Sequence, residues 1–409
     1  MTNSQHPACE HWAVTNNMLT VGGIPVPRLV SRVDGAPCYI YDRGKIRSRI
    51  AELRGALPTE LKLNYAVKAN PMPAVVQLLA GLVDGFDVAS AGEMLVALDT
   101  GKAPENISFA GPGKTDRELA QAVAAEITVH VESDGELRRL AQIGQMSGQR
   151  PRVALRVNPN FQLKASGMRM GGGPQQFGID AEKIPDVLQS VRELDLEFIG
   201  FHIFAGSQNL DALQLIDTFG QILQLAERLA DQAPAPIAHL NVGGGFGIPY
   251  FPKDQTLDLA RIGEGYSEIL SKRPDCLTDA SIIIELGRYM VGEAGLYVSR
   301  VIDRKSSREE VFLVTDGGLN HHLAVSGNFG QTIRRNYPII IANRVKSENT
   351  EIASIVGPLC TPLDMIADRM ELPVAEVGDL VAVLQSGAYG PSASPASFLS
   401  HPPAKEILV

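Results

Sequence analysis

Residues 61–93 read LKLNYAVKANPMPAVVQLLAGLVDGFDVASAGE, and this stretch decides the fold. An apolar run, Leu61–Lys68, leads into Pro73–Ala80, where apolar residues recur at three- and four-residue steps, and then into a second short run, Phe86–Ser90. That order is strand, amphipathic helix, strand, the unit of a parallel sheet. Outward from it the same alternation continues to about residue 290. Strands are predicted at Ile107–Ala110, Ile127–Glu132, Arg152–Asn158, Phe198–Ala205, Ile237–Val242 and Ser281–Glu285. Helices fall between them at Glu93–Asp99, Asp116–Ala124, Gly135–Gln142, Ala181–Leu194, Ala212–Ala230 and Asp258–Leu270, with one more near Ile46–Gly55 ahead of the first strand. Eight strand-then-helix units in one unbroken run predict an α/β fold, a closed (β/α)8 TIM-like barrel rather than an open sheet.

Beyond residue 290 the texture becomes β-rich runs broken by turns, at Gly295–Asp303, Val311–Thr315, Glu351–Val356 and Leu380–Gln385, with no long helix. A C-terminal all-β domain is expected. Met18–Tyr41 shows no helical periodicity and is expected to lend strands to it. The expected domains are a barrel over 42–288 and a β domain built from 1–41 plus 289–409.

Acidic residues outnumber basic ones 46 to 37, for a net charge of −9. With no basic block of five, nucleic-acid binding is disfavoured. No run of eighteen apolar residues occurs, and Met1–Glu10 is polar, so a soluble cytoplasmic protein with no membrane association is expected. Cys9, Cys38, Cys276 and Cys360 lie far apart and form no CxxC pair, so neither a zinc site nor a disulfide framework is expected.

In a barrel of this kind chemistry sits at the carboxyl ends of the strands, and the loops after the seventh and eighth commonly hold phosphate. Those loops read Gly243-Gly244-Gly245-Phe246-Gly247 and Glu285-Leu286-Gly287-Arg288. The first offers backbone N–H groups unobstructed by Cβ atoms and the second a guanidinium, which together suit a phosphorylated ligand. Taken alone, a glycine triplet reads as a tight turn. Lys68 closes the apolar run Tyr65–Asn70, where desolvation would favour a neutral, nucleophilic amine suited to a Schiff base; otherwise it is a snorkelling surface lysine. Asp87 and Glu93 flank the end of the second strand, and Glu285 ends the eighth. A carboxylate facing a heterocyclic nitrogen keeps it protonated and makes a pyridine ring an electron sink. The plainer reading of Glu285 is a rim salt bridge with Arg288. Phe109–Thr115 (FAGPGKT) lacks the Walker spacing and reads as a turn, with Thr115 or Asp116 capping a helix. His321 and His322 are adjacent without a third ligand, so no metal site is expected and substrate contact is preferred.

Seven motifs then converge: Tyr65–Asn70, Phe86–Glu93, Gly206-Ser207-Gln208, Gly243–Gly247, Glu285–Arg288, Gly357–Cys360 and Gly387–Gly390. Over nearly its whole length the chain resembles the fold-type III pyridoxal-phosphate decarboxylases that act on ornithine, arginine and diaminopimelate. The resemblance implies pyridoxal 5'-phosphate as cofactor, joined to Lys68, with Glu285 on its pyridinium nitrogen. It further implies that Ser207, Gly244, Gly245, Gly287, Arg288 and Tyr389 hold the cofactor, chiefly at its phosphate, with Asp87 and Arg156 near its aldehyde and phenolic oxygen. Such enzymes are homodimers with shared active sites, in which Cys360 would come from the partner subunit and protonate the carbon left by CO2.

Met170–Asp180 (MGGGPQQFGID), Asp316–His322, Gly357–Pro362 and Phe398–Pro402 resemble a subgroup acting on modified amino acids. It comprises the decarboxylases of butirosin and staphyloferrin B synthesis and those found with exosortase systems. Two departures bear on the site. Phe204 stands where the family has a ring-stacking histidine, and it can stack but not hydrogen-bond. Thr361 follows Cys360 where enzymes for free diamino acids carry Asp or Glu, so a distal ammonium would go unpaired, at a cost of roughly 2–5 kcal/mol. Asp364 is a possible compensating anion, and with Cys360, Thr361 and His322 it makes up the expected substrate side. The expected activity is α-decarboxylation of a modified or conjugated amino acid, citrate- or carrier-tethered, in siderophore or other secondary-metabolite synthesis, with a small-molecule or carrier-linked amino acid as the substrate. The alternatives are a free diamino-acid decarboxylase, a racemase, which Glu285 opposite the ring nitrogen disfavours, and a non-catalytic homologue, against which Lys68, Glu285 and Cys360 argue.

Overall fold

The computed structural model describes residues 7–161, 168–169, 171–329, 331 and 334–409. Met170, which opens the 170–180 motif, and Met1–His6 of the polar N-terminal stretch lie outside the described residues. The chain forms two compact units, one of Met1–Ser48, Pro249–Gln255 and Arg288–Val409, the other of Arg49–Ile248 and Thr256–Gly287.

In the second unit eight parallel strands pair in a ring: Lys62–Ala66, Gly85–Val88, Ile107–Phe109, Thr128–Val131, Arg152–Asn158, Glu197–Ile203, His239–Gly244 and Ser281–Leu286. The last returns to the first, with Glu285 opposite Asn64, so the barrel closes as the alternation predicted. The helices fall where the apolar steps put them, including Pro73–Ala80, Asp116–Ala124 and Ala212–Ala230. Thr115 caps Asp116–Ala124 in a reciprocal capping box with Glu118, which settles the FAGPGKT segment as a turn into a helix. Ala212–Ala230 buries Leu215, Phe219, Ile222 and Leu223, and Phe219 stacks on Tyr266 with ring centroids 4.1 Å apart.

The eighth strand alternates in a telling way. Ile282, Ile284 and Leu286 are buried, whereas Ser281, Ile283 and Glu285 are half-buried. Since successive side chains leave opposite faces of a strand, one face is dry and the other partly open. Inside the barrel a cavity of about 170 Å³ is lined by Asn64, Ser108, Thr128, His130, Asn241 and Ser281 among others. Polar residues can occupy the axis because that cavity has room for water.

The first unit carries a six-strand path in the order Ile339–Ile341, Leu380–Val383, Gly295–Ser307, Glu310–Thr315, Thr350–Val356, Met365–Pro373. Cys38–Tyr41 adds to it by pairing with Gly295–Ser307 on one side and Lys405–Leu408 on the other. Met365–Pro373 escapes the sequence reading because it is an edge strand whose Asp368, Arg369 and Glu371 interrupt the apolar run. The expectation that Met18–Tyr41 holds no helix is corrected: Val26–Arg32 is helical, with Pro27 in its first turn and Val26, Leu29 and Val30 buried. Two turns are too few to display a 3.6-residue period. Among the described residues no helix is long and apolar enough to cross a membrane.

Candidate active site

The barrel strands deliver most of the expected side chains to one end. Lys68 lies just past the first strand, in a 3-10 turn, Val67–Ala69, rather than in the strand itself. Its Nζ is 3.8 Å from Glu285 Oε1, and its side chain is 40% exposed. The desolvated lysine expected from its apolar neighbours is therefore corrected: Val67 and Ala69 bury themselves, and the amine faces an open mouth.

Glu285 is held by Asn241 and lies close to His202. Asn241 Nδ2 donates to Oε2 at 3.2 Å, and His202 Nε2 stands 3.7 Å from the same oxygen. The His202 ring is 4.5 Å from that of His130, and His130 Nδ1 is 3.8 Å from Asp87 Oδ1. Ser108 donates to that Asp87 oxygen at 2.9 Å. Burial pushes the Asp87 carboxyl well above the usual range, with Glu285 adding like charge and Lys68 and Arg156 opposing. Burial, reinforced by nearby cations, pushes both histidines well down, so they stand neutral.

Asp87 Oδ2, Thr128 Oγ1, His130 Nδ1 and both His202 ring nitrogens are buried without a hydrogen-bond partner. Unpaired buried polar atoms are costly, and so many in one place mark a site built to meet a ligand or water.

At the end of the seventh strand Gly243, and just past it Gly245, adopt positive φ. A Cβ on Gly243 would run into the Phe204 ring, and one on Gly244 into the carbonyl of Glu285. Asn241 Oδ1 accepts from Gly243 N at 2.8 Å, so one asparagine fastens both the carboxylate and the loop. Asn209 N donates to Gly245 O at 2.9 Å, which ties the loop to the segment carrying Ser207. Phe204 is half-buried and also lines a small cavity with Leu215, Phe219 and Tyr266. A Cβ on Gly287 would come within 2.8 Å of Ala69 Cβ, so the eighth strand's end abuts the Lys68 turn.

In the first unit Arg288 Nη1 donates to Tyr250 Oη at 2.7 Å, with its guanidinium 4.6 Å from the centre of the Tyr389 ring. Cys360 is exposed. Thr361 Oγ1 accepts from Leu363 N at 3.3 Å. Asp364 is not a free anion. Its two carboxylate oxygens accept from Leu319 N at 2.6 Å and Leu359 N at 2.8 Å, which corrects its expected role as a compensating charge.

His322 is 1% exposed. Its Nε2 is 3.0 Å from Ser386 Oγ, and the rings of Tyr39, Tyr297 and Tyr337 surround it. Burial pushes it down to about 3, and such an enclosed, neutral ring corrects the expectation of direct substrate contact.

The sequence reading missed Glu132, His130, Asn241 and Tyr250. Glu132 sits just beyond a barrel strand end, where the rule that found Lys68 and Glu285 also applies, whereas His130 and Asn241 lie within their strands.

An amine beside a carboxylate, unpartnered polar atoms around them and a glycine loop after the seventh strand suit a phosphorylated aldehyde on a heterocyclic ring. That is the chemistry of pyridoxal phosphate. Residues 43–292 match the family model described as pyridoxal-dependent decarboxylase, pyridoxal binding domain. The chain belongs to that family and is a pyridoxal-phosphate-dependent amino-acid decarboxylase.

It is 37% identical over 378 residues to the L-glutamyl-[BtrI acyl-carrier protein] decarboxylase of Niallia circulans, covering 91% of this chain and 88% of that one. It is 31% identical over 375 residues to the 2-[(L-alanin-3-ylcarbamoyl)methyl]-2-hydroxybutanedioate decarboxylase of Staphylococcus aureus, covering 89% and 92%. The diaminopimelate decarboxylase of M. jannaschii, solved with L-lysine, superposes with a TM-score of 0.88 at 26% identity, covering 97% and 92%.

Proposed function

We propose that the substrate is an amino acid whose distal end is an uncharged linkage to a larger group, such as a carrier or a citrate-like acid, and not a free diamino acid. The observation that carries this reading is the loop Gly357–Asp364. Position 361 is threonine, and the one carboxylate of the loop is spent on the backbone amides of Leu319 and Leu359. A distal ammonium would find no free anion there, whereas an amide or ester needs none. The substrates for which the two relatives are named, a glutamyl-carrier conjugate and a carbamoyl-linked hydroxybutanedioate, support the same class of substrate.

Lys68, Asp87, Arg156, Ser207, Gly244, Gly245, Glu285, Gly287, Arg288 and Tyr389 are the proposed cofactor contacts, Phe204 the proposed ring neighbour. Bound pyridoxal phosphate supplies an aldehyde that captures an amine and a ring that accepts electrons. The chain's own part is electrostatic and protonic. Glu285, oriented by Asn241 and flanked by His202, holds a proton on the ring nitrogen. Neutral His202 and His130 orient this floor without adding positive charge. Loss of CO2 leaves a carbon that must be protonated, and the partner subunit's Cys360 is the proposed donor from its Sγ, in a homodimer with shared sites.

The test is CO2 release by the purified holoenzyme from free ornithine, lysine, diaminopimelate and glutamate against their amide- and acyl-linked conjugates. At least one conjugate should exceed every free amino acid in kcat/KM by tenfold or more, roughly 1.4 kcal/mol. Fastest turnover of a free diamino acid would sink the reading. Thr361→Asp should raise turnover of free lysine or ornithine by roughly tenfold by restoring a counter-charge.

A further inference from the structure

One residue ties the carboxyl ends of three neighbouring strands together. Glu132 follows the fourth strand, and its side chain is 2% exposed. Its Oε1 accepts from Arg156 Nη1 at 2.7 Å and from Gly111 N at 2.5 Å, while Oε2 accepts from Gly178 N at 3.0 Å. Gly111 belongs to the loop after the third strand, Arg156 to the fifth strand, and Gly178 to the segment beyond it. Gly178 has φ +71°, and a Cβ there would come 2.9 Å from the Arg156 carbonyl. Glycine is needed for both reasons. The neighbouring Phe177 ring lies 5.0 Å from the Arg156 guanidinium, so that group is held by a carboxylate and an aromatic ring together.

Glu132 is itself anchored. Its backbone N–H donates to Glu136 Oε2 at 3.1 Å, and Glu136 Oε1 is 2.8 Å from Lys114 Nζ, in a pair only 2% and 1% exposed. Lys114 Nζ also donates to the carbonyls of Gly111 and His130. Two carboxylates and two cations thus occupy a nearly dry layer. Apolar packing would serve stability there as well or better. What buried charges provide and apolar side chains cannot is a fixed direction for a guanidinium.

We propose that Glu132 is a positioning residue for the decarboxylation, holding the Arg156 guanidinium in a single orientation for the cofactor and pinning the 171–180 segment against it. This rests on the proposed contact between Arg156 and the cofactor, and the experiment separates the two. The dissociation constant of pyridoxal phosphate, and the pH midpoint of its absorbance band in the holoenzyme, are measured for the wild type, Glu132→Gln, Arg156→Lys and the double variant.

Each single substitution should weaken cofactor binding by about tenfold and move the midpoint, and the double variant should be no worse than the weaker single one. Glu132→Asp keeps the charge and should recover part of the loss; it also serves if Glu132→Gln does not fold. Additive losses in the double variant, or Glu132→Gln with unchanged affinity and midpoint, would overturn the coupling. Unchanged affinity and midpoint in Arg156→Lys would overturn the contact of Arg156 itself, and the proposal with it.

Discussion

Asp87 and Asp364 are both buried aspartates whose carboxyls burial pushes up, one in each unit. Asp364 spends its two oxygens on backbone amides of its own unit, so it holds a loop. Asp87 accepts from Ser108 with one oxygen and leaves the other unpartnered, in a site where His130 Nδ1 and both ring nitrogens of His202 are unpartnered too. A buried carboxylate that closes its own hydrogen bonds stabilises a conformation, whereas one left open is a cost that function explains. Burial and charge shift alone do not tell the two apart. Partner count does.

The sharpest way to break this comparison is to remove the amine from the open side. Lys68→Ala should abolish the cofactor's visible-edge absorbance and lower CO2 release by at least about a thousandfold. Because the side chain is 40% exposed, the melting temperature of the cofactor-free chain should change by no more than about 2 °C. Retention of band and activity would end the assignment.

Asp364→Asn comes next. An asparagine has one acceptor for two N–H groups and turns donors towards the other, so unfolding free energy at pH 7 should fall by about 1–3 kcal/mol in denaturant titration. A loss below 0.5 kcal/mol, on the scale of an ordinary surface change, would mean that the loop does not depend on this clamp.

Asp87→Asn should do the reverse. A carboxyl raised in the folded state contributes its stability fully below the unfolded value near 3.9 and loses it as pH rises through the folded value. Replacing it removes that loss, so the cofactor-free chain at pH 7 should gain up to about 1 kcal/mol and its stability should depend less on pH above 4. A destabilisation like that of Asp364→Asn would erase the contrast.

Much of this was legible in the residues. Each barrel strand is a short apolar run bounded by turn residues, and each covering helix repeats at three and four residues, signals that are local and cumulative. Lys68, Asp87 and Glu285 were found because strand ends in such a barrel carry chemistry, and the glycines of the seventh strand's loop because they leave backbone N–H groups unobstructed; the positive φ of Gly243 and Gly245 gives those glycines a second reason. Met365–Pro373 was not legible, since its charged residues are those of an exposed edge. The Val26–Arg32 helix was too short to show its period. Glu132 entered only as the last residue of a predicted strand; its place at a strand end was visible, but nothing in the residues near it shows that Arg156, Gly111 and Gly178 converge there.

The order and period of its apolar residues were enough to determine the barrel, and the motifs at its strand ends, through the family they resemble, implied the class of reaction. Which buried charges are free and which are committed was decided only by tertiary structure. Asp364 looked available and is clamped, His322 looked accessible and is enclosed, and Lys68 looked dry and is open. The reason is physical. Periodicity reports which face of an element avoids water, a property of neighbours in sequence, whereas a hydrogen bond from Leu319 to Asp364 joins groups 45 residues apart, and only the folded chain brings them within reach.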